Sequence, residues 1–185
     1  HRILDRVGRG DVDILLGTQM IAKGIDFPNV TLVGVVDADT ALHLPDFRSS
    51  ERTFQLIAQV AGRTGRGPKG GRVLVQTRQP THPALEFAAR HDAEGFLEAE
   101  MVARQSPAYP PHVAIANIII TGPDRAAVKI RAAEVAEWCE RVVAHNALPL
   151  IVLGPAPCPI ERIKDRWRDH LILKGPPQAL GRWVR

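Results

Sequence analysis

"TLVGVVDAD", residues 31–39, is the stretch of sequence that decides the fold. It is apolar on both faces of an extended chain and ends in two carboxylates, Asp37 and Asp39. A short apolar run bounded by polar residues is typical of a strand buried in a parallel sheet. The stretch therefore predicts an α/β fold in which polar loops follow the carboxyl ends of the strands.

Two further apolar runs flank this strand. "VDILLG", residues 12–17, predicts a buried strand before it, and "RVLVQT", residues 72–77, predicts a strand after it. The segment 49–65 predicts a helix that Ser49 or Ser50 caps and Gly65 ends. The helical residues expected to face the core are Phe54, Ile57, Ala58 and Ala61.

The second half predicts a smaller α/β unit. A helix over 83–104 is followed by the proline-dense "SPAYPPH", residues 106–112, which no helix can cross. Asp124 is a candidate cap for a long amphipathic helix. The valines of that helix recur every seven residues, at Val128, Val135 and Val142. Strands are predicted at 113–120, 150–154 and 166–174. The predicted segments are a first domain at 1–80, a helical, proline-rich linker at 81–111, and a small C-terminal domain at 112–185.

The composition is that of an ordinary soluble protein, with 45% hydrophobic and 24% charged residues. No apolar stretch is long enough to cross a bilayer, so we expect a cytoplasmic protein without a membrane partner. The chain opens with charged residues and has no initiator methionine, which indicates a fragment of a longer protein. Cys139 and Cys158 cannot alone form a four-cysteine zinc site, and we expect both to be packed and reduced.

The positive charge is concentrated at the C-terminal end. Residues 1–111 contain 13 Lys/Arg and 13 Asp/Glu, whereas residues 112–185 contain 11 and 7. This asymmetry indicates a polyanionic partner for the second half.

"QVAGRTGR", residues 59–66, is the strongest candidate for binding phosphate. Gln59, Arg63 and Arg66 are spaced to share one helix face, and a guanidinium binds phosphate oxygens two at a time. Gly62 and Gly65 remove side chains that would hold a ligand away from the backbone. A solvated helix surface that runs into a turn is the simpler alternative.

A second polar segment, "GTQMIAKGID", residues 17–26, precedes the central strand. Ligands gather in loops of this kind in α/β sheets. Asp37, Asp39 and Asp46 suggest a metal site, but we interpret them as residues that cap strands and brace the following loop. We expect His43 to be an interface residue, and nothing in the sequence identifies it as a catalytic base.

These motifs resemble those of superfamily 2 helicases, with 17–28 similar to motif V and 59–66 similar to motif VI. The intervening stretch "DADTALHLPDFRSSERTFQLIAQ" resembles the primosomal protein N′ (PriA) family, DNA helicases that restart stalled replication forks. "YPPH" and "LGPAPCPIERIKDRWRDHLILK" are similar to that family's C-terminal domain, which resembles a small ribosomal protein. The resemblance implies part of a second RecA-like lobe, followed by a small α/β domain.

The resemblance also implies roles for individual residues. Arg66 would be an arginine finger that reaches the γ-phosphate of ATP, with Arg63 as its companion and Gln59 coupling the nucleotide to the lobe interface. The nucleotide-facing positions would be Asp26, Gly24, Gly62 and Gly65. The positions that contact the DNA backbone would be Thr18 and Lys23, and a solvated lysine is an equal alternative at Lys23. Ile25 stands where the family commonly has histidine, but "KGID" is the form found widely across superfamily 2, so we do not expect the change to abolish activity. If that histidine relays between DNA and nucleotide, the coupling would differ here.

Several sequence motifs of the helicase family are absent from the 185 residues. There is no G-x-x-x-x-G-K-[ST] stretch, no DExH motif and no zinc-binding cysteine cluster. The resemblance implies that ATP and Mg²⁺ are shared with a missing first lobe, and that zinc binds only in a missing upstream region. We expect the isolated chain not to hydrolyse ATP.

The basic segment "RIKDRWRD", residues 162–169, is a candidate DNA-binding strand. In a continuous strand, the cations would share one face, about 6.6–6.8 Å apart, at Arg162, Lys164, Arg166 and Arg168. Trp167 would point the other way, and we favour a core role for it over base stacking. The cations bind a nucleic-acid backbone or, alternatively, form a solvated edge that prevents sheet-to-sheet pairing.

The sequence thus favours part of an ATP-dependent 3′-to-5′ DNA helicase that acts in replication restart and primosome assembly. The partners implied by the resemblance are forked or single-stranded DNA, single-stranded-DNA-binding protein and other primosome proteins. An alternative is a degenerate, non-hydrolysing scaffold of the same family that binds DNA structures. A ribosomal-type RNA-binding module explains residues 112–185 only.

Overall fold

The computed structural model describes residues 2–18, 30–62 and 70–183. The chain divides into two compact units, His1–Glu100 and Met101–Arg185. The linker predicted at 81–111, and the domain bounds that go with it, stay predictions.

The first unit is a parallel α/β layer. Strands β1 and β2 pair in parallel, from Leu32 opposite Arg72 to Val35 opposite Val75, which confirms the predicted arrangement. The elements in chain order are α1 (Arg2–Arg9), β1 (Leu32–Val35), α2 (Ala38–Leu42), α3 (Ser49–Ala61), β2 (Arg72–Val75), α4 (Pro83–Ala89) and α5 (Ala93–Gln105), whose residues from Met101 onward belong to the second unit.

The strand predicted at 12–17 is wrong. These residues form no strand, and the side chains of Ile14 and Leu16 are 84% and 89% exposed. An extended apolar run becomes a strand only where a neighbour supplies ladder hydrogen bonds, and no described strand pairs with this one. The expectation that the central strand is buried on both faces is also wrong, because Leu32 of β1 is 55% exposed.

Helix α3 confirms the helix predicted between the strands, but it begins differently. The capping position is Arg48, which makes no side-chain cap, whereas the Ser49 hydroxyl donates to the Asp46 carbonyl at 2.8 Å. The predicted serine cap is therefore wrong, since Ser49 already lies within the first turn and its hydroxyl is engaged by the preceding loop. Gly62 follows the last helical residue, and the predicted end at Gly65 lies outside the described residues.

The single helix predicted over 83–104 is two helices, α4 and α5. His91 adopts a left-handed φ of 55°, which stops the first helix. The Asp92 carboxylate then accepts the backbone N–H of Gly95 at 2.8 Å and so caps the second. The apolar pattern continues across both helices, and this continuity concealed the break.

Two stacked phenyl rings join α3 to α5 in the first core. The Phe54 and Phe96 ring centroids lie 4.2 Å apart with the planes 3° from parallel, and Phe87 meets Phe96 edge-on. The other buried members of this core are Ala38, Ile57, Ala84, Leu85 and Ala88. Ala58 packs against the same core, as predicted.

The second unit is a helix-covered antiparallel sheet. Its elements are β3 (Ala114–Gly122), α6 (Arg125–His145), β4 (Ile151–Ile163), β5 (Arg166–Gly175) and α7 (Pro177–Trp183). The strand order is β3-β5-β4, so β5 is central. Asp124 caps α6 as predicted, because its carboxylate accepts the Ala127 N–H at 2.7 Å. Among the described residues, no helix is long and apolar enough to span a membrane.

The α6 face that enters the core consists mostly of small residues that lie between the three valines, although Val135 also packs against it. Of the three predicted valines only Val128 is fully buried, at 3% exposure. The buried α6 residues are Val128, Ala132, Ala136 and Cys139, at spacings of three and four. Small residues at these positions let the helix lie close to Leu171 and Leu173 of the central strand, both fully buried.

Replacing Phe96 with alanine tests the aromatic junction. We expect Phe96→Ala to lower the free energy of unfolding by about 3–5 kcal/mol, because it removes a fully buried ring and leaves a cavity. The matched control is Leu97→Ala, whose side chain is 58% exposed and whose loss should cost about 0.5 kcal/mol or less. Urea unfolding followed by circular dichroism measures both, and equal losses for the two variants would contradict the assignment.

Candidate nucleotide-facing edge and nucleic-acid interface

The carboxyl ends of β1 and β2 meet at one edge of the parallel sheet. An open cavity of about 840 Å³ lies there. Its lining residues are Val36, Asp37, Asp39, Thr40, His43, Gln76, Thr77, Arg78 and Gln79. Polar groups from two different loops therefore converge where α/β sheets usually hold ligands.

Asp39 ties the two loops together. One carboxylate oxygen accepts the Thr77 hydroxyl at 2.5 Å and the other accepts the Arg78 backbone N–H at 2.8 Å. The hydrogen bond from Thr77 is the main reason that the pKa of Asp39 is lowered, and the bond from Arg78 adds to it. Asp39 therefore fixes the loop after β2 against the start of α2.

The neighbouring carboxylates also serve local structure. Asp37, at a left-handed φ of 56°, accepts the Thr40 backbone N–H at 3.2 Å and so caps α2, and it also accepts the Thr40 hydroxyl at 2.6 Å. Asp46 accepts the Arg48 N–H and pairs with Arg52 at 2.8 Å. The prediction that these carboxylates brace the following loop is confirmed, whereas Asp37 caps the helix α2 rather than a strand. No group of three His, Cys, Asp or Glu side chains in the described residues could hold a metal ion.

Both ring nitrogens of His43 are engaged. Nδ1 lies 2.7 Å from the Asp39 carbonyl oxygen, and Nε2 lies 2.8 Å from the Gln79 amide nitrogen. A ring that carries its proton on Nδ1 fits both contacts, since a carbonyl only accepts and an amide NH₂ only donates. His43 therefore connects α2 to the loop after β2, and its role at an interface stays a prediction.

The described part of the "QVAGRTGR" segment ends at Gly62. Gln59 lies in the last turn of α3 with its side chain partly exposed, and Gly62 is exposed directly after the helix. A β-carbon at Gly62 would meet nothing closer than the Ala58 carbonyl, at 3.5 Å, so packing does not require glycine there. The predicted site residues outside the described part are Lys23, Gly24, Asp26, Arg63, Gly65 and Arg66. Thr18 is described, and it is exposed outside any helix or strand.

The basic segment is a hairpin rather than one strand. Arg162 at the end of β4 lies opposite Trp167 of β5, and Lys164 and Asp165 form the turn between them. Both turn residues have positive φ, 48° and 60°, as a type I′ hairpin requires. The predicted single row of four cations is therefore wrong, because the chain reverses in its middle.

The hairpin divides the cations between two faces. Arg166 and Arg168 alternate with Trp167 along β5 and share one face, whereas Arg162 lies on the Trp167 face because the two are paired. Arg166 donates to the Thr121 carbonyl at 3.1 Å, which fixes its guanidinium over β3. Within the described residues, Lys164 at the turn makes no side-chain hydrogen bond or ion pair.

Trp167 is partly buried, and two guanidinium groups lie against it. The Cζ atoms of Arg125 and Arg162 are 4.6 and 5.3 Å from the ring centroid. Arg125 also pairs with Glu161 at 2.6 Å, and Arg162 pairs with Asp165 at 2.9 Å. Trp167 is thus a platform for arginines, a role that neither sequence interpretation included.

Arg125 is a candidate functional residue that the sequence did not identify. It is the first residue of α6 and lies 36 positions before Glu161, so no local pattern links it to the hairpin. Only the antiparallel pairing of β3 with β5, which sets Gly122 opposite Trp167, brings it there.

The two cysteines are buried and unreactive, unlike the polar residues described above. Both are free and buried, which confirms that they are packed. Burial raises the pKa of each thiol, so both stay protonated and unreactive at neutral pH.

The hydrogen-bonded Asp39 carboxylate predicts that the stability of the fold depends on pH. A carboxyl whose pKa is lowered in the folded state stabilises the fold above its unfolded pKa, and this stabilisation is lost as the pH falls through the folded value. We therefore expect Asp39→Asn to lower the urea midpoint at pH 7, with the difference from wild type narrowing below about pH 4. Asp13→Asn, at an exposed loop position, is the control. A difference independent of pH would contradict the proposed hydrogen-bonded carboxylate.

Two protein families match consecutive parts of the chain. Residues 105–185 match the family described as the primosomal protein N C-terminal domain. Residues 1–68 match the helicase conserved C-terminal domain, which is a RecA-like lobe.

Individual relatives match nearly the whole chain. Replication restart protein PriA of Bacillus subtilis is 46% identical over 174 residues, which are 94% of this chain and 21% of that protein. The protein of the same name from Synechocystis is 40% identical, covering 95% and 21%. That of Treponema pallidum is 40% identical, covering 95% and 26%. The chain therefore spans a fifth to a quarter of the length of these relatives.

Proposed function

We propose that this chain, which belongs to the PriA family of replication restart proteins, supplies part of an ATP-dependent 3′-to-5′ DNA helicase. The helicase would act in replication restart and primosome assembly at stalled forks. The parts that bind ATP and Mg²⁺ would lie on another lobe, because the chain contains no P-loop sequence.

The observation that carries this proposal is the anchoring of α3. Phe54 and Ile57 fix one face of the helix in the core, so the last turn, with Gln59, has a set position beside the parallel sheet. A rigid helix end is a suitable support for groups that must meet a nucleotide on a facing lobe.

The chemistry of the proposed nucleotide site is electrostatic. Arg66 would stabilise the negative charge that spreads over the phosphoryl oxygens during transfer, and Arg63 would hold neighbouring phosphate oxygens. Asp26 and Gly24 would face the nucleotide, and the exposed Gly62 would allow its close approach. Gln59 would transmit the occupancy of the site to the lobe interface.

The proposed DNA contacts lie in both units. Thr18 and Lys23 would meet the backbone phosphates of a strand that crosses the helicase lobe. The hairpin would contact DNA with Lys164 at its tip and with Arg166 and Arg168 along one face. Because phosphate contacts position without reading sequence, this hairpin suits recognition of a DNA structure.

The alternative is a non-hydrolysing scaffold with the same DNA contacts. The retained motif VI favours the enzyme, since a scaffold has no physical need for Gln59, Arg63 and Arg66. Single-stranded-DNA-binding protein and other primosome proteins remain proposed partners, zinc is proposed only for a region outside this chain, and the proposed location is cytoplasmic.

Replacing the proposed finger separates the enzyme from the scaffold. In the full-length protein, Arg66→Ala should lower DNA-stimulated ATP hydrolysis by a factor of about 10³ or more, because transition-state charge is left unpaired. Fork binding should be unchanged. Arg72→Ala, at the exposed start of β2, is the control. If wild type binds forks without hydrolysing ATP, the scaffold is correct.

Removing the hairpin cations tests the DNA interface. We expect replacement of the four hairpin cations with alanine to weaken binding of the chain to forked DNA. The slope of log K against log salt should become less steep by about 0.9 for each phosphate that the protein no longer neutralises. The variant changes Arg162, Lys164, Arg166 and Arg168. The matched control changes Arg131 and Arg141, which form ion pairs on the surface of α6. Equal binding by the hairpin variant and wild type would place DNA recognition elsewhere.

A further inference from the structure

We propose that Arg125 and Arg162, held against Trp167, form a phosphodiester-binding site that Glu161 and Asp165 occupy until DNA displaces them. This inference rests on the proposed DNA-binding function of the hairpin. It adds a residue from α6 to that interface and assigns the two hairpin carboxylates a role in controlling it.

The site joins two parts of the chain on one aromatic ring. Arg125 begins α6 and Arg162 ends β4, yet both guanidinium carbons lie within 5.3 Å of the Trp167 centroid. The two guanidinium carbons are therefore no more than about 10 Å apart, a separation that two phosphates of one strand can span.

Each guanidinium is paired with a carboxylate of the same hairpin. Glu161 lies 2.6 Å from Arg125, and Asp165 lies 2.9 Å from Arg162. Carboxylate and phosphate both match the planar fork of a guanidinium, so each carboxylate holds its arginine as a phosphate oxygen would.

The carboxylates can be displaced because both pairs face water. The Asp165 side chain is 93% exposed and that of Glu161 is 48% exposed. Exposed ion pairs of this kind contribute little stability, whereas a DNA phosphate also releases condensed counterions when a cation binds it.

Trp167 holds both arginine side chains in place while phosphate replaces their carboxylate partners. A guanidinium against an indole face stays attracted to the ring when its carboxylate leaves. The ring is itself held in the central strand, opposite Gly122 on one side and Arg162 on the other. Trp167 is therefore a positioning residue for the two cations.

This arrangement favours ligands with closely spaced negative charges over single anions. A single weak anion competes poorly against a tethered carboxylate, because the carboxylate is always present at high local concentration. Closely spaced phosphates can replace both carboxylates together. The hairpin would thus favour nucleic acid over isolated anions despite its basic character.

A double-mutant cycle tests the exchange. Glu161→Gln should tighten binding of the chain to forked DNA about two- to fivefold, the size of an exposed ion pair, because Arg125 no longer has a competing partner. In the Arg125→Ala background the same change should have no effect. Glu134→Gln, which releases Arg131 on the surface of α6, is the matched control and should leave affinity unchanged. If Glu161→Gln tightens binding equally in both backgrounds, it acts by general repulsion and the inference is overturned.

A second measurement separates this inference from DNA binding by the chain. Titration with inorganic pyrophosphate, followed by NMR of the arginine Nε–H groups, should shift the Arg125 and Arg162 signals and leave the Arg131 signal in place. Trp167→Leu should abolish the selective shift without loss of the fold. If those signals shift but no DNA binds, the site stands and the proposed function fails. If DNA binds without any shift of the two signals, the site is wrong and DNA binds elsewhere.

Discussion

The stack of Phe54 on Phe96 is the interaction on which the first unit depends. The parallel sheet has two described strands of four residues each, too small a surface to hold a helix by itself. The stacked rings join α3 to α5, so the helix is fixed by other helices as well as by the sheet. The position of the last turn of α3, which carries Gln59, is therefore set by aromatic packing as well as by the sheet.

The central strand β5 has the corresponding role in the second unit. One set of alternate residues, which includes Leu171 and Leu173, enters the core under α6. Toward the turn the same alternation brings Trp167 to the face that Arg125 approaches. Core packing and the proposed phosphate site thus depend on a single register, and a one-residue slip of β5 would destroy both.

The sequence predicted the elements whose signals are local. Alternating or continuous apolar runs predicted β2, β3 and β5, and Asp124 predicted the start of α6. It failed where a long-range partner decides the outcome. Residues 12–17 have the composition of a strand but no described neighbour to pair with, and the break at His91 depends on one left-handed residue within a continuous apolar pattern.

The hairpin shows why the sequence could indicate where a proposed DNA interface lies but could not predict its geometry. The concentration of positive charge near residue 165 is a property of composition, so it was visible at once. The reversal at Lys164 and Asp165 was not, because type I′ turns favour Asn-Gly or Asp-Gly and this pair carries two long or charged side chains. Reversal moves Arg162 to the Trp167 face, where Arg125 can join it. A row of four equal cations would bind any polyanion, whereas a divided set with its own carboxylates would make the proposed binding depend on the spacing of the phosphates.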